Sequence, residues 1–147
     1  MSPRPLQPVM NADEVNSFMN EAYPQLNEKL QAFYATEVFP GGCVVRLDAD
    51  EHHLRPGNTV SGPSLFTLAD IGGYVCVLTH AGPDALSVTT NLSINFMRKA
   101  GQGPIDGHCR ILKLGKSLMV FDIDMRAGPD NQTVAHATGT YSIPPRR

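Results

Sequence analysis

Asp70 is the residue whose setting most needs a chemical reason. It stands within residues 64–80, SLFTLADIGGYVCVLTH, where Ser64, Thr67, Thr79 and His80 are the other clearly polar members. An ionised carboxylate is costly to bury unless it is paired or put to use. The position therefore suggests a general base or a nucleophile, with a carboxylate that bonds backbone or faces a neighbouring subunit as the alternative. A second feature lies just upstream, at Ser61-Gly62-Pro63. If a helix starts there, its first-turn N–H groups are unpaired and its dipole is positive, a setting that holds an oxyanion. Pro63 brings no N–H, so Gly62 and the residues after it must supply the donors. Asp70 lies eight residues beyond Gly62, about 12 Å along a helix axis. Both cannot touch one small carbonyl, which points to a site shared between two copies of the chain.

The elements that must place these groups follow from periodicity. Residues 1–10 carry three prolines and read as a flexible or loosely docked arm, leaving 11–147 as one domain, as a length of 147 residues predicts. Asn11 ahead of Asp13 and Glu14 suits a helix start. Val15, Phe18, Met19, Tyr23, Leu26 and Leu30 then recur at helical spacing, with an interruption near Pro24 and an end around 31–34. Two strand pieces around Phe39-Pro40-Gly41-Gly42 come next, then a Gly, Pro and Asn-rich loop over 52–63. Residues 64–80 are apolar around nearly the whole helical circumference, so that helix should be buried on most sides. Segments 86–97, 105–114, 117–126 and 132–143 alternate apolar and polar residues and predict a meander of long antiparallel strands. The order gives an α+β fold, one curved antiparallel sheet packed on one central helix, with an extra N-terminal helix. Gly72-Gly73 within the central helix predict close approach of another backbone, that of a second protomer's helix.

Composition narrows the partners. A formal charge of −2 leaves no electrostatic footprint for duplex nucleic acid. The apolar helix is read as too short and too interrupted to cross a membrane, and residues 1–10 lack the apolar core of a secretory signal, so a soluble cytoplasmic protein is expected. Cys43, Cys76 and Cys109 have no CxxC or Cys/His spacing, and indicate neither a disulfide framework nor a zinc site. His52 and His53 are adjacent, would point to opposite faces of a strand, and are treated as loop histidines with no acidic partner at ligand spacing. His108 and His136 each sit alone in a strand pattern.

Two segments resemble a known family. Ser61-Gly62-Pro63-Ser64-Leu65-Phe66-Thr67-Leu68-Ala69-Asp70 resembles the His-Gly-Gly-x-x-x-x-Leu-Ala-Asp signature of hotdog-fold acyl-CoA thioesterases of the phenylacetate-degradation (PaaI-like) type, without a gap. Residues 89–100, TTNLSINFMRKA, resemble that family's long strand, which ends in an aromatic followed by a basic residue. The resemblance spans roughly 40–143. It implies a hotdog fold, homodimers with a continuous sheet, often dimers of dimers, and hydrolysis of acyl-CoA thioesters without metal or other cofactor. It places Asp70 on the catalytic acid, Gly62 on the backbone donor, and Thr89 where relatives carry a Ser or Thr that positions the water, with Thr90 or Asn91 as alternates if the register slips. Ser61 stands where the signature has His and is left one hydrogen bond to give. Arg55 stands where many members have an Asn that orients the carbonyl, and is expected to meet a CoA phosphate or to pair with Asp70 across an interface. Asn58 and Pro63 join the substrate-binding loop. Arg98, Lys99, Lys113, Lys116, Arg146 and Arg147 are candidate contacts for CoA phosphates, against a reading as solvated surface charge. Two other readings stay open: a non-catalytic hotdog module that binds acyl-CoA, and a hotdog dehydratase, which wants a His beside Asp70.

Overall fold

A computed structural model describes residues 6–27 and 32–145. The first helix, α1 (Ala12–Ala22), starts where expected: Asn11 accepts from the Glu14 N–H at 2.8 Å, and the Glu14 side chain accepts from the Asn11 N–H at 3.1 Å. It ends earlier than the periodicity suggests. Pro24 disfavours helical geometry at Tyr23, and a single 3-10 turn, Pro24–Asn27, follows. Leu30 and the predicted helix end at 31 lie outside the described residues, as do residues 1–5, Arg146 and Arg147. Of the arm, residues 6–10 lie against the second helix, where the Val9 N–H donates to the Thr79 carbonyl at 2.6 Å.

The strands are β1 (Phe33–Phe39), β2 (Gly42–Ala49), the short β3 (Leu54–Arg55) and β4 (Thr59–Val60), and then β5 (Val88–Phe96), β6 (Gly103–Leu114), β7 (Leu118–Ala127) and β8 (Gln132–Ser142). Six of them form one antiparallel sheet in the order β1-β2-β6-β7-β8-β5, and β3 pairs only with β4. The expectation of a simple meander needs correcting: β6, β7 and β8 follow one another, but β5 lies beside β8 at the far edge. The residues between β4 and β5 form the second helix, α2 (Gly62–Ala81), which packs across β1, β2, β6, β7, β8 and β5.

The 20-residue α2 is long and apolar enough to cross a membrane by composition, contrary to the reading that it is too short. It is instead the core helix: residues from Leu65 to His80 bury most of its circumference against the sheet. The reading of Gly72-Gly73 as a contact with a second protomer's helix is also corrected. A Cβ at Gly72 would come within 2.6 Å of Ile123 Cδ1, and one at Gly73 within 2.4 Å of Phe121 Cζ. Gly107 and Gly139 on the sheet crowd the same two side chains. The glycines thus form two nests, one around Ile123 and one around Phe121, which let α2 lie close on its own sheet.

Candidate active site

The carboxylate of Asp70, near the middle of α2, faces the first residues of β5 and the last of β8. Thr89 Oγ1 donates to Asp70 Oδ1 at 2.5 Å, and Tyr141 Oη reaches the same Oδ1 at 2.7 Å. Tyr141 Oη is also 2.9 Å from the Asp70 backbone carbonyl, so the phenol grips both ends of the residue. No hydrogen bond holds Oδ2 among the described residues, which leaves that oxygen as the proton acceptor of the group. Burial, followed by the negative charge of Asp70, pushes the Tyr141 phenol well above its ordinary value. Tyr141 is therefore a donor and not a base.

A bulge in β5 decides which Thr meets Asp70. Pairing with β8 steps from Thr89–Tyr141 to Asn91–Thr140, so Thr90 is left over, exposed, with its hydroxyl 3.2 Å from the Thr140 carbonyl. Ser87 and Thr89 face α2 before the bulge, whereas Leu92 and Ile94 face it afterwards. Thr90 and Asn91 are thereby turned away from Asp70. A cavity of about 400 Å³ opens beside the carboxylate, lined by Tyr23, Asp70, Tyr74, Ser87, Thr89 and Tyr141. Ser87 Oγ is buried in it with no hydrogen-bond partner among the described residues, so a water or a ligand atom must satisfy it. The Tyr74 phenol is raised by burial and donates to the Ala85 carbonyl at 3.2 Å.

Ser61 is the cap of α2. Its hydroxyl oxygen accepts from the Ser64 N–H at 3.2 Å and shares a 2.9 Å hydrogen bond with the Ser64 hydroxyl. Pro63 occupies the second helical position, behind Gly62. With Pro63 lacking a donor and the Ser64 N–H taken, Gly62 offers the first-turn N–H that has no acceptor within the helix. Phe96, at the far end of β5, lies over Gly62: a Cβ there would sit 3.4 Å from Phe96 Cζ. The strand β5 thus runs from Asp70 at its start to Gly62 at its end, and the two groups stay apart within one chain.

The remaining candidates divide into groups. Arg55 is exposed on β3, and Asn58, at φ 58°, shapes the Pro56-Gly57-Asn58 turn between β3 and β4. Arg98 and Lys99 line a second cavity, of about 540 Å³, with Arg126, Asp106, Asp130 and Gln132. Lys113 and Lys116 lie at the opposite end of β6, roughly 30 Å away along the strand, and do not join them. His52 and His53 are corrected in one respect: a 3-10 turn capped by Asp50 brings an acidic partner, with Asp50 Oδ1 at 3.0 Å and 3.3 Å from the two Nδ1 atoms. His136 Nε2 is 3.3 Å from Asp122 Oδ2 on the sheet, and among the described residues no histidine lines the Asp70 cavity.

Sequence reading missed Tyr141, Tyr74 and Ser87. Tyr141 carried a usable signal, because a Tyr on the inward face of a strand must find a partner for its hydroxyl. Ser87 carried none, since its direction relative to the rest of β5 depends on the bulge three residues on.

With this geometry in view, comparison with other proteins decides the family. A profile of the thioesterase superfamily matches residues 57–134, from the turn before β4 to β8. The chain belongs to the thioesterase superfamily. A crystal structure from Silicibacter sp. TM1040, described as a "putative thioesterase", is 42% identical with a TM-score of 0.85 and covers 97% of both chains. A Pseudomonas aeruginosa protein named "Putative esterase PA0474" is 30% identical over 92% of this chain and 100% of its own length. The phenylacetic acid degradation protein PaaI of Thermus thermophilus, in a variant form, shares the fold at a TM-score of 0.65 and 19% identity, over 86% of this chain and 97% of that one. The antiparallel sheet around α2 is the hotdog fold of this superfamily, and thioester hydrolysis is the reaction class that membership supports.

Proposed function

We propose that the protein hydrolyses acyl-CoA thioesters, with Asp70 as the base, in a site shared by two copies of the chain. One observation carries the reading: Thr89 and Tyr141 both bond Oδ1 of Asp70 and leave Oδ2 free beside a cavity. A water held between Oδ2 and the Thr89 oxygen loses a proton to Oδ2 as its oxygen attacks the thioester carbonyl. Gly62 of a second copy, with the positive end of α2 behind it, donates its N–H to the resulting oxyanion. The C–S bond then breaks, CoA leaves as a thiolate, and the proton on Asp70 passes to it.

The second copy has a natural place to attach. The strand β5 ends the sheet order and has no neighbour on its outer side, with Val88 56% and Phe96 55% exposed at its two ends. A long edge strand with unpaired backbone groups is a template for pairing with another chain, and antiparallel pairing of two β5 strands sets the start of one, by Asp70, against the end of the other, by Gly62. A dimer of dimers would use a second, separate face, because the two-fold pairing of β5 strands closes on itself. Arg98 and Lys99, in the cavity they share with Arg126, Asp106 and Asp130, are the cations placed to meet CoA phosphates, Arg126 being held by Asp124 at 2.6 Å. No metal or nucleic acid enters these steps, and the proposed setting is the cytoplasm.

Thiol release from acyl-CoA and from the matching acyl-pantetheine tests the substrate. Turnover of both, with the CoA ester favoured at least about tenfold in kcat/KM and the preference lost in an Arg98→Ala, Lys99→Ala double variant, is the expected result. Equal turnover of the two thioesters would remove CoA from the proposal.

A further inference from the structure

Cys43 on β2, Cys76 on α2 and Cys109 on β6 are spaced 33 residues apart in turn, yet their sulfurs meet in the core. Cys76 Sγ is 3.5 Å from Cys43 Sγ and 3.3 Å from Cys109 Sγ, and all three sulfurs lie within 4.8 Å of one another. Cys43 and Cys109 face each other in the β2–β6 register, and every member is buried. Three thiols carried on three packed elements form a triangle that the fold holds ready. Three small apolar residues would fill the same space, so the question is what such a triangle binds.

Geometry and charge restrict the ligand. With metal–sulfur bonds near 2.3 Å, tetrahedral angles separate sulfurs by about 3.8 Å, whereas angles close to a right angle separate them by about 3.3 Å. The 3.3 Å and 3.5 Å separations from Cys76 Sγ lie nearer the smaller value, which suits a pyramid with the bound atom at its apex. A tetrahedral ion also needs a fourth ligand, and the nearest imidazole is engaged: His80 Nε2 accepts from the Gly41 N–H at 3.0 Å, while Nδ1 faces Thr79 Oγ1 at 2.9 Å and the Cys76 carbonyl at 3.1 Å. Three thiolates around a monovalent or divalent ion would leave net negative charge in a dry interior, which is costly. A trivalent centre leaves none.

We propose that Cys43, Cys76 and Cys109 form a binding site for a trivalent, thiol-seeking, three-coordinate centre of the arsenite kind. Uncharged arsenous acid, As(OH)3, exchanges three hydroxides for three sulfurs. Three As–O bonds break, three As–S bonds form, each thiol proton leaves with a hydroxide as water, and arsenic stays trivalent throughout. Local opening of the core admits the reagent. The product ties α2 to β2 and β6.

The test uses sodium arsenite with the intact, reduced protein, read by native mass spectrometry and by thermal melting. The expected result is one arsenic per chain in place of three hydrogens, with a melting temperature raised by about 9 °C at a hundredfold excess over Kd. Cys76→Ala and Cys43→Val, both checked for native melting and unchanged thioester turnover, should each weaken binding at least about a hundredfold by leaving two sulfurs. Arsenic taken up only after denaturation, a lowered melting temperature, or equal affinity in either variant would overturn the proposal.

Discussion

Tyr141 Oη lies 2.7 Å from Oδ1 of Asp70, the same oxygen that accepts the Thr89 hydroxyl at 2.5 Å. Two donors on one oxygen fix the plane of the carboxylate and assign proton transfer to the other. Hydrogen bonds to charged groups contribute roughly 1.5–3 kcal/mol, so Tyr141→Phe should lower kcat by about tenfold or more. KM should change little, because the phenol meets the base and not the acyl chain. Steady-state kinetics on one acyl-CoA decides this, and an unchanged kcat would remove Tyr141 from the site.

The same phenol predicts an alkaline effect on stability. Burial and the charge of Asp70 raise its proton affinity above the ordinary value of 10.0. Above about pH 10 the unfolded chain releases this proton while the folded chain keeps it, so stability is full below that pH and falls as pH rises through it. The slope is about 1.4 kcal/mol per pH unit for one proton. Chemical denaturation of wild type and Tyr141→Phe from pH 9 to 11 should show a steeper decline in wild type.

The glycine nests predict a coupled pair of substitutions. Gly73→Ala should destabilise by roughly 1–3 kcal/mol, because a Cβ would press on the fully buried Phe121 ring, despite about 1 kcal/mol gained in helix propensity. In Phe121→Leu the ring is gone, and the same Gly73→Ala change should cost less. A double-mutant cycle in urea measures the coupling, with strictly additive effects as the contrary result.

A shared site predicts complementation. Asp70→Asn keeps Gly62, and Gly62→Pro keeps Asp70 while removing the N–H at a helix position that tolerates proline. Each variant alone should be inactive. After the two are unfolded together and refolded, half of the dimers are mixed and each mixed dimer holds one intact site, so about a quarter of wild-type activity should return. No recovery, with mixed dimers confirmed by mass, would place both groups in one chain.

Much of this was legible in the residues. The apolar run around Asp70 announced a buried helix, and four alternating segments announced the long strands. The strand order was not legible, because alternation gives the faces of β5 but not its neighbour, and β5 pairs with β8. The bulge at Thr90 was equally hidden, since one extra residue reverses which side chains face inward without disturbing composition. Gly72 and Gly73 announced a close approach but not by what, as a missing Cβ is the same whether a helix or the Phe121 ring fills its place. The three cysteines met only through tertiary packing, with no local spacing to reveal them.

The most direct measurement is thiol release from short, medium and aryl acyl-CoAs by wild type and Asp70→Asn, each checked for unchanged oligomeric mass and melting. The account predicts turnover of at least one ester by wild type and a loss of at least about a hundredfold in the variant. Turnover that survives Asp70→Asn, or a wild type that binds acyl-CoA and hydrolyses none, would contradict it.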